Sequence, residues 1–266
     1  MPGAIIQQSQ FTGNGTQAGF LSALNASMVT AGFTNIATFT KSGHSYRTWE
    51  YQHNDKIYGK SILEVGFTTA VRITMIGYAS FDTGTNTGEQ TSITSPWENI
   101  DLNTSWNFYS IEHPQMRGVF LFQDLQSIGF IGYYRPSTLP SSAPPDYIDE
   151  DLQPYGFIPR TLNTNWNSLT LQPISRLSGE LGNASAVGNT LNAKSNSGNS
   201  GLRILRLAHM EDTSNNTHVE TFSEDIRCGA SFAMVMFDTV NTPDGNYAFI
   251  DGSANATTSR LFIKVQ

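Results

Sequence analysis

The residues that could do acid–base or metal chemistry in this chain are few and scattered. Five histidines, His44, His53, His113, His209 and His218, form no HxH or HxxxH pair, the spacings that aim two imidazoles at one ion. His209-Met210-Glu211-Asp212 could face His218 and Glu220 across a hairpin. A zinc site needs three or four converging ligands, and Glu211–Thr217 reads more simply as a polar turn joining two strands. Cys228 is the single cysteine, so neither an intramolecular disulfide nor a cysteine-based zinc site can form. It lies in Ile226–Ala230, just before the apolar run Phe232–Phe237, and reads as a buried, inert thiol.

Carboxylate chemistry fares no better. Glycoside hydrolysis needs two carboxyls about 5–10 Å apart across a cleft. Asp149, Glu150 and Asp151 are consecutive and so point in different directions, and Glu98 with Asp101 needs geometry to be judged. No GxSxG elbow anchors a hydrolase triad. Gly13-Asn14-Gly15 ahead of a helix has the outline of a phosphate-binding turn, because helix N-termini attract anions. No parallel-sheet strand pattern precedes it, however, and no Lys-Ser/Thr pair follows. The expectation is a chain without catalytic residues, cofactor or metal.

Aromatic residues are the more suggestive set. Trp97, Trp106 and Trp166 have polar sequence neighbours, and Tyr133, Tyr134, Tyr147 and Tyr155 bracket a proline-rich stretch. Exposed rings stack on sugars or fill a partner's pocket. The competing expectation is that they plug a thin β core or a domain junction.

One helix and many strands must position these groups. Thr16 can cap a helix whose Phe20, Leu24 and Met28 recur at i, i+4 and i+8, with Leu21 and Ala31 on the same face and Gly32 as the stop. Strand-like runs follow at Ile36–Thr40, Ser45–Tyr51, Lys56–Phe67, Ala70–Tyr78, Trp106–Ile111, Val119–Gln123 and Ile128–Tyr134. Asn54-Asp55 is a hairpin-turn candidate, and the polar Phe81–Pro96 stretch reads as a long exposed loop. The first half is thus an α+β unit, one amphipathic helix on an antiparallel meander, spanning residues 1–135.

Residues 136–160 read as a connector. Its prolines lack an N–H and drive their predecessors to extended backbone, and an acidic patch, Asp146 to Asp151, follows them. Residues 161–266 read as a β-sandwich-like domain with strands near Ser168–Gln172, Leu202–Ala208, Val219–Phe222, Ala230–Phe237, Ala248–Asp251 and Arg260–Val265. Gly182–Gly201 between them is an arm with little to bury, and Asp244-Gly245 is a turn signal. Leu102–Asn107 echoes Leu162–Asn167, but their flanks do not match. The fold class expected is mainly β.

The bulk numbers bound the function. A length of 266 residues permits a sizeable core, and 38% hydrophobic residues suit a globular protein. Only 14% are charged, against a usual share of about 25%, so Ser, Thr, Asn, Gln and Gly supply the polar surface. The net charge of −7 and the absence of a Lys/Arg run argue against nucleic acid as a partner. No apolar stretch reaches the ~20 residues of a membrane span, and the N-terminus has no signal-peptide pattern. The expected chain is soluble and made in a cytoplasm.

A family resemblance adds to this. Gly19-Phe20-Leu21-Ser22-Ala23-Leu24 to Ala31-Gly32-Phe33, then Tyr46-Arg47-Thr48-Trp49-Glu50 and the run to Gly129-Phe130-Ile131-Gly132-Tyr133-Tyr134-Arg135-Pro136, resemble modules of tailed-bacteriophage virion proteins of the cyanophage tail and neck type. The resemblance covers roughly residues 15–136. More loosely, Tyr247–Gly252 and Leu261–Val265 are similar to phage capsid and tail β domains. The resemblance implies a repeated, non-catalytic subunit of a virion tail, baseplate, neck or fibre attachment, made in a host cytoplasm. Its expected partners are its own copies and other virion proteins. Pro140, Pro144, Pro145, Tyr147, Tyr155 and Phe157 of the connector are the expected assembly contacts. A receptor- or host-glycan-binding module and a capsid decoration protein are the alternatives, with a polymer hydrolase behind them.

Overall fold

Thr16 opens the helix that the periodicity predicts. Its hydroxyl accepts the Gly19 N–H at 3.1 Å, satisfying one of the donors a helix start leaves unpaired. In the computed structural model, α1 runs over Gln17–Thr30 and buries Phe20, Leu21, Leu24, Ser27 and Met28. It ends where Gly32 enters left-handed backbone at φ +94°. The Gly32 N–H bonds Val29 O at 2.9 Å and the Phe33 N–H bonds Met28 O at 3.0 Å, the paired closure of a Schellman motif. A side chain at Gly32 would take on the left-handed penalty of about 1–2 kcal/mol. Gly32→Ala should therefore lower unfolding stability by that amount, read from the urea midpoint with the slope unchanged.

The structure describes residues 5–13, 15–52, 60–90, 95–97, 100–113, 116–123, 126–134, 136–138, 156–160, 170–174, 206–207, 209–212, 217–222, 226–230, 238–243, 245–249 and 259–265. Asn54-Asp55, Gly182–Gly201, Leu162–Asn167 and the run Phe232–Phe237 lie outside them.

The fold is mainly β, with one helix among the described residues laid on antiparallel sheet. One sheet of the first half joins β1 (Ile5–Thr12), β8 (Ser105–His113), β9 (Met116–Gln123) and β10 (Gln126–Tyr134) in the order β1-β8-β9-β10. The other joins β2 (Thr34–Lys41), β3 (His44–Gln52), β4 (Lys60–Phe67), β5 (Ile73–Asp82) and β6 (Thr87–Gln90) in sequence order, with β7 (Ser95–Trp97) also pairing β5. All these pairs are antiparallel.

Two of these elements depart from the sequence reading. β1 was not expected: its Gln7, Gln8, Ser9 and Gln10 hide the strand signal, and its pairing with β8 is what creates it. Phe81–Pro96 is no open loop either. Asp82 accepts the Gly84 N–H at 2.8 Å and the Thr85 hydroxyl at 2.9 Å, and the chain turns back as β6. The Gly84 bond, then the Thr85 one, hold the Asp82 carboxyl below its usual pKa.

Side chains from both sheets and the helix form a single core. Phe11, Trp106, Phe108, Val119, Leu121 and Ile131 come from the first sheet, and Trp49, Leu63, Val65, Phe67, Ile73 and Met75 from the second. Phe20 of the helix stands among them, with ring contacts at 5.5–5.9 Å to Phe11, Phe67, Trp106 and Phe108, all near perpendicular. Edge-to-face contact of this kind suits the charge distribution of aromatic rings.

In the second half, β14 (Arg206–Leu207), β17 (Ile226–Ala230), β18 (Thr239–Thr242), β19 (Gly245–Phe249) and β20 (Ser259–Lys264) form a five-stranded sheet ordered β14-β17-β20-β19-β18. β18 and β19 pair with Thr242 opposite Gly245, and Asp244 of the expected turn lies outside the described residues. β11 (Pro136–Thr138), β15 (His209–Asp212) and β16 (Thr217–Phe222) form a three-stranded sheet, and β12 (Gly156–Arg160) pairs β13 (Thr170–Ile174). Both ends of the expected connector are thus short strands. Pro136 is tolerated because it is the first residue of an edge strand, where a missing N–H costs least. Among the described residues, no helix is long and apolar enough to cross a membrane.

Candidate functional site

The expected assembly contacts Pro140, Pro144, Pro145, Tyr147 and Tyr155 lie outside the described residues; Phe157 is on β12, in register with Pro173. Trp106 is buried, and its indole N–H donates to Asp101 O at 2.8 Å. It plugs the core and offers nothing to a sugar. Trp97 pairs through its backbone with Ile73, and Trp166 is outside the described residues. Asp101 is a turn-former, accepting the Asn103 N–H at 2.9 Å; Glu98 and Asp149–Asp151 are not among the described residues.

Gly13 and Gly15 pack on that same turn. The Gly15 N–H bonds Leu102 O at 2.9 Å, and Gly13, at φ +42°, is so close to the Asn103 carbonyl that a Cβ would sit 2.5 Å from its oxygen. These glycines serve a close backbone crossing, and the strand before them is antiparallel to its neighbour, unlike a nucleotide-binding fold.

Among the described residues the histidines are dispersed, and His53 lies outside them. His44 Nδ1 lies 3.2 Å from Gln17 Nε2, and His113 is buried at the end of β8. The β15–β16 hairpin does set Glu211 opposite His218 and Met210 opposite Glu220. Residues 213–216, between the two strands, lie outside the described residues. Among the described residues no group of three metal-capable side chains forms. Cys228 pairs Leu261 and Arg206 through backbone on β17, which has a strand on each side.

The structure instead brings together a group that sequence reasoning missed, on the face of the second sheet turned away from the core. Trp49, Leu63, Val65 and Met75 face inward, so the alternating neighbours Thr48, Glu64 and Ile76, in mutual register, share the outer face. Glu64 stands on the central strand and is only 5% exposed. Its carboxylate accepts the Tyr78 hydroxyl at 3.3 Å and the Thr48 hydroxyl at 3.4 Å. Both bonds are long. Burial raises its pKa, while the Tyr78 bond, Lys41 and the Thr48 bond each oppose the rise. Burial and the nearby Glu64 charge likewise raise the phenols of Tyr78 and Tyr46.

Two aromatic pairs flank the carboxyl. Tyr46 stacks on Phe39 with centroids 5.3 Å apart and planes 11° from parallel, and Tyr78 meets Phe81 at 5.3 Å. Tyr46 covers Gly66, where a Cβ would sit 1.8–2.6 Å from its ring atoms, while a Cβ at Gly88 would meet Ser80 O at 2.3 Å and the Tyr78 ring at 2.7 Å. Glycine opposite an aromatic lets the ring cover the strand. The cluster fixes the register of β3, β4 and β5, because a slip by one residue would send Glu64 into the apolar core. Its half-buried Phe39–Tyr46 pair is also the feature best suited to a sugar ring.

A scan of protein-family models finds no match to the chain, and no curated protein matches it either.

Proposed function

We propose that this chain is a non-catalytic structural subunit of a tailed-phage virion, in the tail, baseplate, neck or fibre attachment, and that it acts by assembling with its own copies and neighbouring virion proteins. The observation that carries the reading is how the versatile side chains of the first half are used: they brace the fold. Gln17 alone ties two turns to the helix start. Its amide donates to Thr69 O at 2.9 Å and its Oε1 accepts the Ser45 N–H at 3.1 Å. Asn25 accepts the Trp49 indole N–H at 2.9 Å, and Ser110 donates to Ser27 O at 2.8 Å. Arg117 pairs Glu112 at 3.0 Å, donates to Ala31 O at 3.3 Å, and lies 4.9 Å from the Tyr51 ring centroid. A cation at a helix C-terminus is favourable, and this one also links both sheets to the helix. A braced block with few charges suits a repeated building part, and the resemblance to phage tail and neck modules points the same way.

A glycan-binding role is the second reading, favoured by the Phe39–Tyr46 pair beside Glu64. Light scattering on the full purified chain separates the two. Assembly predicts a defined oligomer at micromolar concentration. A monomer whose tyrosine emission is quenched by host polysaccharide would replace it with the second reading.

A further inference from the structure

We infer that strand β1 pairs with β1 of a second copy about a two-fold axis, joining two four-stranded sheets into one of eight. This deepens the assembly reading and rests on it.

The four edges of the two sheets of the first half are treated very differently. An open edge presents unpaired N–H and C=O groups, and proteins blunt such edges with charges, prolines, bulges, short strands or a covering element. β2 carries Lys41 and a bulge between Asn35 and Ala37, where the Asn35 amide donates to Ala37 O at 2.9 Å and to Thr48 O at 3.0 Å. β6 is four residues long, carries Glu89, and is bulged against β5. β10 has β12 beside it. β1 differs: among the described residues α1 packs on its inner face, through Ser9 and Phe11, and no strand lies along its far edge. It is eight residues long, Ile5-Ile6-Gln7-Gln8-Ser9-Gln10-Phe11-Thr12, without a charge or a proline, and it matches β8 residue for residue with no bulge. Among the described residues it pairs with β8 alone, so its far edge has no strand partner.

Charge selects the occupant. Residues 1–40 contain no Lys, Arg, Asp, Glu or His, whereas the chain's 14% of charged residues would place about six in a stretch of that length. The neutral segment holds β1, all of α1 and nearly all of β2. The exposed side of α1 continues the pattern with Ala18, Ser22, Ala26 and Val29, the last 52% exposed. About a two-fold axis each residue near the centre meets its own copy or a close neighbour of it, so any charge there would face its own sign. A neutral edge suits this arrangement and gives a charged partner nothing to recognise. Antiparallel pairing that keeps the core on one side of the joined sheet sets even residues against even ones. Gln8 and Gln10, exposed on the outer face, therefore sit at or beside the axis in either central register.

The test is a charge swap on those two glutamines in the full chain, read as native mass by light scattering. Gln8→Lys with Gln10→Lys, and separately Gln8→Glu with Gln10→Glu, should each halve the wild-type mass, because like charges then meet at the axis. Mixing the two variants should restore the wild-type mass through mixed pairs, which shows that both remain folded. Variants that keep the wild-type mass, or fall apart and do not recover on mixing, would overturn β1 pairing while leaving a wild-type oligomer and the assembly reading intact. A wild-type monomer would overturn both.

Discussion

Replacing Phe20 by alanine should cost about 3–5 kcal/mol, the range for deleting a fully buried aromatic ring. The ring touches Phe11 and Phe108 of one sheet, Phe67 of the other, and Trp106. Truncation leaves a void that both sheets border, and close-packed interiors relax only partly into such voids. Tryptophan emission should report it directly, since Trp106 loses its perpendicular partner. The control is Val29→Ala on the exposed side of the same helix, 52% exposed, which should stay within about 0.5 kcal/mol of wild type. Equal losses in the two variants would mean that the helix contributes through its backbone and that Phe20 is not the joint.

Glu64 supports the second large effect. Glu64→Ala removes the acceptor for the Tyr78 and Thr48 hydroxyls and should cost about 1–3 kcal/mol, the usual penalty for orphaned buried polar groups. Glu64→Gln keeps an acceptor for Tyr78 and removes the charge, so it behaves differently. Because burial raises the Glu64 pKa in the folded protein, the folded state binds more protons than the unfolded state above the ordinary glutamate pKa. Wild-type stability should then fall as pH rises from that value through the raised one, and level off beyond it. Glu64→Gln should match wild type in acid and exceed it at neutral pH. Urea midpoints at pH 4 and pH 8 measure both ends, and a variant less stable than wild type at pH 8 would show that the ionised carboxylate is wanted at this site.

Much of the first half was legible because its signals are local. Thr16, the Phe20–Leu24–Met28 spacing and Gly32 are helix start, face and stop, and each does in the fold what its residue type dictates. The strands from β2 to β5 announce themselves through β-branched and aromatic residues. What escaped was set by partners distant in sequence. β1 has a glutamine-rich sequence of weak strand preference and becomes a strand through β8. Glu64 interrupts the apolar run Ile62-Leu63-Glu64-Val65. A charged residue inside a run buried on both sides was the available sign of a polar group that needs partners on the outer face. The connector prolines and tyrosines drew attention by composition alone, and composition says nothing about which edge of a sheet is open. That depends on strand order, which joins residues a hundred positions apart.

The same long-range pairing has a consequence in time. Ile5 is in register with Glu112 and Thr12 with Ser105, so β1 has no strand to join until the ribosome has released residue 105 and beyond. At ordinary rates of synthesis that wait is on the order of five to twenty seconds. Through that interval every nascent chain displays a neutral, glutamine-rich segment still without its partner, and chains translated side by side on one message display the same segment. Pairing between neighbours on a polysome then competes with pairing to β8. Slowing or spacing initiation should therefore raise the yield of correctly folded chain, while leaving the stability of the finished protein unchanged.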